Sequence, residues 1–126
     1  MSDIITIGVI GLGNAGSPIL NNLYNSKKYN LIAFDINKNK LNDIPKDISK
    51  ANSIKDLAEK CKLVLTCLPK PEHVLQVVDG EDGLLQNATS GMIWIDTSTT
   101  DFKQTQKLAK KAKTFYVSML EATLTG

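Results

Sequence analysis

Arginine is absent from the chain. All 15 basic residues among the 126 are lysine, set against 13 acidic residues for a formal net charge of +2. Without a guanidinium fork there is no bidentate reading of phosphate or guanine. The lysines are scattered, apart from Lys107, Lys110, Lys111 and Lys113, which a solvated helix face explains, so no nucleic-acid partner is expected. Histidine occurs once, at His73, which reads as a helix-surface residue. Zinc would lack its usual ligand set, and no metal is expected. Cysteine occurs twice, at Cys61 and Cys67, in or beside an apolar run and without metal-ligand spacing. That pattern predicts buried, reduced thiols and a cytoplasmic setting. No apolar run approaches the roughly 18 residues of a membrane-spanning helix, so no membrane partner is expected. Met1-Ser2-Asp3 leads straight into an apolar strand, so no targeting segment is expected. What is present is ordinary for a globular domain: 42% hydrophobic and 22% charged residues. A single domain over residues 1–126 is expected.

Apolar runs and helix-like stretches alternate along the chain. Strands are predicted at Ile4–Ile10, Leu31–Phe34, Lys62–Leu68, Met92–Asp96 and Phe115–Met119. Helices are predicted at Asn14–Ser26, at Lys38–Ile44 (stopped by Pro45), at Ile54–Lys60, from Pro71 through Val78, and at Asp101–Lys113. Ser53 is placed to cap the third of these, with Asp56 three residues on as an approximate capping box. Residues 79–83 form a turn-rich loop. Strands separated by helices of about ten residues imply βαβ units. The expected fold is therefore α/β, a Rossmann-like, doubly wound and mostly parallel sheet with helices on both faces.

The strongest chemical signal is Gly11-Leu12-Gly13-Asn14-Ala15-Gly16. It follows a strand, opens a helix, and is answered by Asp35 at the end of the second strand, 19 residues after Gly16. That is the full dinucleotide-binding pattern. Gly11 permits the tight turn, Gly13 lets a pyrophosphate approach the backbone, and Gly16 lets the helix pack against the sheet. Free amides at the helix start suit the anion. Asp35 is expected to accept from the adenosine ribose diol. A 2′-phosphate there would meet a like charge, which favours NAD over NADP, although Lys38 and Lys40 keep NADP open.

These residues resemble the opening of the β-hydroxyacid dehydrogenases, the family of 3-hydroxyisobutyrate and 6-phosphogluconate dehydrogenases. Gly11 through Pro18 with Asn22-Leu23 carries the likeness, and three later segments extend it. Thr66-Cys67-Leu68-Pro69 with Pro71-Glu72-His73-Val74 resembles the family's Thr-Met-Leu-Pro segment. Asp96-Thr97-Ser98-Thr99 resembles its Asp-x-Ser-Thr segment, and Glu121 through Gly126 its substrate segment. The departures are Ala15 and Ile19 where Met is frequent, Thr123 for a Pro and Thr125 for a Ser.

The resemblance implies that the Cys67-Leu68-Pro69 turn lies on the adenine and ribose side of the cofactor, with Thr99 near the nicotinamide. Thr125 and Gly126 would hold the carboxylate of a small hydroxyacid substrate. A plainer role for Thr97 to Thr100, capping the helix that follows, stays open. The implied reaction is hydride transfer between a β-hydroxyacid and the nicotinamide, with a lysine of a second, helical domain moving the proton. No equivalent of that segment is seen, so no catalytic residue is assigned and the chain is expected to be inactive alone. Dimerisation in the family uses the helical domain, which makes a homo-oligomer an expectation for the whole protein only. Two other readings remain: a free-standing NAD-binding sensor or scaffold, and the cofactor domain of an imine reductase-like enzyme.

Overall fold

The computed structural model describes residues 4–98 and 101–122. The β-branched and leucine-rich runs become strands of a parallel sheet, and the central ones, Thr6–Ile10 and Asn30–Phe34, are buried along most of their length. The strands are β1 (Thr6–Ile10), β2 (Asn30–Phe34), β3 (Ser49–Lys50), β4 (Leu63–Thr66), β5 (Ile93–Asp96) and β6 (Ser118–Glu121). They lie in the order β3-β2-β1-β4-β5-β6, with every neighbouring pair parallel. This is the doubly wound arrangement expected from the alternation of elements. Its strand order reverses between β1 and β4, where such sheets open a crevice at their carboxyl ends.

The helices are α1 (Gly16–Ser26), α2 (Ile54–Lys60), α3 (Pro71–Asp79), α4 (Leu84–Asn87) and α5 (Phe102–Thr114). They divide unequally over the sheet. Leu20 of α1 packs on Ile7, Val9, Leu31 and Ala33, joined by Leu41, Ile44 and Ile48 from the stretch before β3. The other four helices contribute Leu57, Val74, Val78, Leu85 and Leu108 to a larger cluster around Val64 and the fully buried Trp94. On the α1 side, Ile93 and Leu120 remain 39% and 56% exposed, because α1 reaches β1 and β2 but not the β5–β6 end.

Several expected boundaries shift for identifiable reasons. The stretch Lys38–Leu41 is a single 3-10 turn rather than a longer helix, started by the Asn37 side chain, which accepts from the Asn39 N–H. β3 is two exposed polar residues that only pairing with Ile32 and Ala33 makes a strand. β6 begins three residues later than expected. Phe115 still caps α5 and Tyr116 adopts a φ of +59°, so the chain extends only from Ser118. The Ser53 cap is present, its hydroxyl accepting from the Asp56 N–H at 3.0 Å, while the Asp56 carboxylate reaches back to the Asn52 N–H.

Candidate functional site

The chain leaves β1 at Gly11 with a φ of +100°, a conformation that side chains with a Cβ rarely adopt. A Cβ at Gly11 would run into the Cys67 carbonyl, and one at Gly16 into the Gly11 carbonyl. These two glycines therefore let the turn sit between the end of β4 and the start of α1. The turn is also tied to its neighbours, since the Gly11 N–H donates to the Phe34 carbonyl and the Cys67 N–H to the Ile10 carbonyl, both at 2.9 Å. Gly13 differs. A Cβ built there meets nothing within 4 Å, because that side of the turn faces open space.

No side chain caps the start of α1. The Ser17 N–H reaches the Gly13 carbonyl at 3.1 Å, but the N–H groups of Asn14, Ala15 and Gly16 find no acceptor among the described residues. Asn14 and Ala15 are exposed. Unpaired donors at a helix start, beside a glycine with an empty side, form an anion-receiving cradle.

Asp35 closes the cradle on the β2 side. Its Oδ2 accepts the Leu12 N–H at 2.7 Å and its Oδ1 the Asn37 N–H at 2.8 Å. Each oxygen keeps a lone pair, since a carboxylate has about four acceptor positions. The carboxylate thus shapes the glycine turn and retains capacity for a ligand diol. Lys40 borders the same end of the cleft, whereas Lys38 does not.

The opposite wall is the exit of β4 and β5, where a buried polar network lies under the surface. The Trp94 indole N–H donates to the Thr66 hydroxyl at 2.8 Å, which donates to Asp96 Oδ1 at 2.9 Å. The same Oδ1 accepts the Ser98 N–H at 3.0 Å. The Ser98 hydroxyl accepts the Leu68 N–H at 2.7 Å and donates to the Thr66 carbonyl at 3.3 Å. The Thr97 hydroxyl has the Thr66 carbonyl at 3.0 Å and Cys67 Sγ at 2.9 Å within reach of its one proton. Asp96 is 1% exposed, and its Oδ2 has no hydrogen-bond partner.

Between these walls lies a cleft of about 550 Å³ at the carboxyl end of the sheet. Gly11, Gly13, Asn14, Ala15, Asp35, Cys67, Leu68 and Pro69 all border it. Leu12 and Gly16 sit behind it as supports, both buried. Thr99, Thr125 and Gly126 lie outside the described residues. The cleft also takes in residues that the motifs did not single out as site residues: Ile36, Asn37, Gln76, Thr97 and Ser98. Ile36 follows Asp35 directly and is 68% exposed, an apolar plate on the rim. His73 also borders the cleft instead of facing only solvent, and its Nδ1 is buried without a partner. The capping role open to Thr97–Thr100 belongs to Asp101, whose carboxylate accepts the Lys103 N–H at 2.8 Å.

Both cysteines are free and buried. Burial pushes the Cys61 thiol up to about 11. Burial also raises Cys67, against a partial lowering by the Thr97 hydroxyl. Among the described residues no group of histidine, cysteine and carboxylate side chains is placed to hold a metal ion, and no helix is long and apolar enough to cross a membrane.

The sequence pattern of the NAD-binding domain of 6-phosphogluconate dehydrogenase matches residues 6–126. A probable mitochondrial 3-hydroxyisobutyrate dehydrogenase of Dictyostelium discoideum is 36% identical over 122 residues, covering 96% of this chain and 38% of that protein. The chain thus spans about two fifths of the length of this relative. In fold it is similar to the 3-hydroxyisobutyrate dehydrogenase of Mycobacterium tuberculosis, at a TM-score of 0.87 and 24% identity over 98% of this chain and 42% of that one. It is similar too to an imine reductase from Myxococcus stipitatus in complex with NADP+, at a TM-score of 0.86 and 15% identity, covering 96% and 41%.

Proposed function

The chain belongs to the family of the NAD-binding domain of 6-phosphogluconate dehydrogenase, and from that membership we propose that it is the cofactor-holding part of a β-hydroxyacid dehydrogenase. The observation that carries the proposal is the glycine turn. Two of its glycines are required by close packing, while the third faces an open, donor-rich cleft. A methyl group at Gly13 would intrude on that cleft without touching the protein.

In this reading the unpaired amides of Asn14 and Ala15, which border the cleft, bind the pyrophosphate. Asp35 accepts from the adenosine ribose diol with the lone pairs it has left. Ile36 and Leu68 give the adenine apolar flanks. The carboxylate at Asp35 and the absence of arginine favour NAD over NADP. The bound nicotinamide supplies the hydride chemistry. Thr99 is assigned to the nicotinamide end, and Thr125 with Gly126 to the carboxylate of a small hydroxyacid such as 3-hydroxyisobutyrate. The proton-transferring lysine comes from outside this chain, so the chain alone binds cofactor without turnover. The free thiols accord with a reducing, cytoplasmic compartment.

Calorimetric titration with NADH and, separately, NADPH tests this. Tighter binding of NADH is the expected outcome. Binding of neither would refute the cofactor reading, and preference for NADPH would refute the role given to Asp35. Appreciable oxidation of 3-hydroxyisobutyrate by the chain alone would refute its assignment as the cofactor half.

A further inference from the structure

The proposed cofactor contacts leave Ser98 and Asp96 unused, although they join the two strand ends that form one wall of the cleft. Several polar groups at the exit of β4 are bonded to the exit of β5. The Thr66 hydroxyl goes to Asp96, the Thr66 carbonyl to Thr97 and Ser98, the Cys67 sulfur to Thr97, and the Leu68 amide to Ser98. Ser98 Oγ has its one proton on the Thr66 carbonyl and accepts from Leu68, so it has no donor left for a ligand. Its bond to the Leu68 amide ties it to the cleft wall. Asp96 in turn fixes Ser98, because one carboxylate oxygen holds both the Ser98 N–H and the Thr66 hydroxyl. Ser98 is 4% exposed and Asp96 1%, so water does not compete for these bonds.

We propose that Ser98, held by Asp96, is the positioning residue that sets cofactor affinity by fixing the Leu68–Pro69 wall against the glycine turn. The inference rests on the cofactor reading above. The lever is short. The Leu68 amide adjoins the Cys67 carbonyl, which is packed on Gly11. Releasing that amide loosens the cleft wall and the backbone that seats the turn. Ser98→Ala leaves Leu68 N–H without its acceptor. Asp96→Asn keeps the Oδ1 acceptor and so keeps both bonds, and the amide it introduces replaces the oxygen that has no partner. Asp96→Ala removes both bonds.

The test combines NADH titration with amide hydrogen exchange on the ligand-free chain. Ser98→Ala and Asp96→Ala are expected to weaken NADH binding about tenfold, equivalent to about 1.4 kcal/mol. Both are expected to raise exchange at Leu68, while Asp96→Asn stays within about twofold of the unsubstituted protein. Ser53→Ala, which weakens the α2 cap far from the cleft, serves as the stability benchmark. It is expected to lower the unfolding midpoint and leave NADH binding unchanged, so a purely structural role would make Ser98→Ala behave like it. Normal NADH binding by Ser98→Ala, or unchanged Leu68 exchange, overturns this inference alone. Failure of the unsubstituted chain to bind either nucleotide overturns the cofactor reading and the affinity role built on it.

Discussion

Substituting the three glycines of the turn one at a time separates the demands of folding from those of binding. At Gly16 an added methyl meets the Gly11 carbonyl, a backbone atom directly after the Ile10–Gly11 peptide, which is bonded to Phe34 and Cys67. Overpacking costs about 1–3 kcal/mol, and a rigid neighbour puts Gly16→Ala near the top of that range. Unfolding entropy scales with length, so for 126 residues about 1 kcal/mol corresponds to a shift of roughly 4 °C. Gly16→Ala should therefore unfold about 10 °C below the parent chain. At Gly13 the added methyl meets nothing within 4 Å. Gly13→Ala restricts the unfolded chain without a folded-state clash, so its midpoint should hold or rise by up to about 4 °C, as about 0.4–1 kcal/mol of unfolded-state entropy allows. Its NADH affinity should fall at least about tenfold, because the methyl occupies the space reserved for the pyrophosphate. Thermal unfolding followed by circular dichroism, with NADH fluorescence titration on the same preparations, gives both readings. A Gly13→Ala protein that loses several degrees, or one that binds NADH as the parent does, would refute the division of labour among the glycines.

Asp35→Ala should weaken NADH binding about tenfold and also cost about 2 kcal/mol of stability, since the carboxylate holds the Leu12 and Asn37 amides. Unchanged NADH affinity in that variant would remove Asp35 from the ribose site. Thr66→Val keeps the side-chain shape but strips Trp94 of its buried acceptor and Asp96 of a donor, so chemical denaturation should show a loss of about 2–3 kcal/mol. A loss below about 0.5 kcal/mol would mean the network adds no stability. The Cys61 thiol, near 9 when unfolded and pushed up to about 11 by burial, keeps its proton longer in the folded chain. Its contribution is intact below pH 9 and is lost as pH rises toward 11. Stability should fall across that window more steeply in the parent than in Cys61→Ala, and identical slopes would contradict the assignment.

The long-range architecture was legible because burial on both faces of a parallel sheet demands runs such as Leu63-Val64-Leu65, which survive in sequence as continuous apolar segments. β3 escaped detection because Ser49 and Lys50 carry no pattern, and their strand character is conferred by Ile32 and Ala33 alone. α4 escaped because Leu84–Asn87 is a single turn directly after a loop. In the site, the glycine turn and Asp35 were readable as a local motif with a fixed offset. The wall opposite was readable only as a likeness, since its hydrogen bonds join residues 28 to 32 positions apart. A buried serine that accepts one backbone amide looks, in sequence, like any helix-capping serine. The cleft beside His73 was hidden for a similar reason, because helical periodicity does not reveal that a cleft opens beside the first turn of α3.

The clasp on the glycine turn also orders events in time. The turn, α1 and Asp35 are complete once residue 35 has been made. The carbonyl that packs on Gly11 belongs to Cys67, and the wall facing it is fastened by Ser98. A nascent chain stopped between these points carries the whole nucleotide fingerprint but no pocket. Pairing of β1 with β4, a non-local and therefore slower contact than β1 with β2, has to come first. Nucleotide is thus unable to template the first half of the sheet and rewards only molecules that have already closed the seam between the two halves.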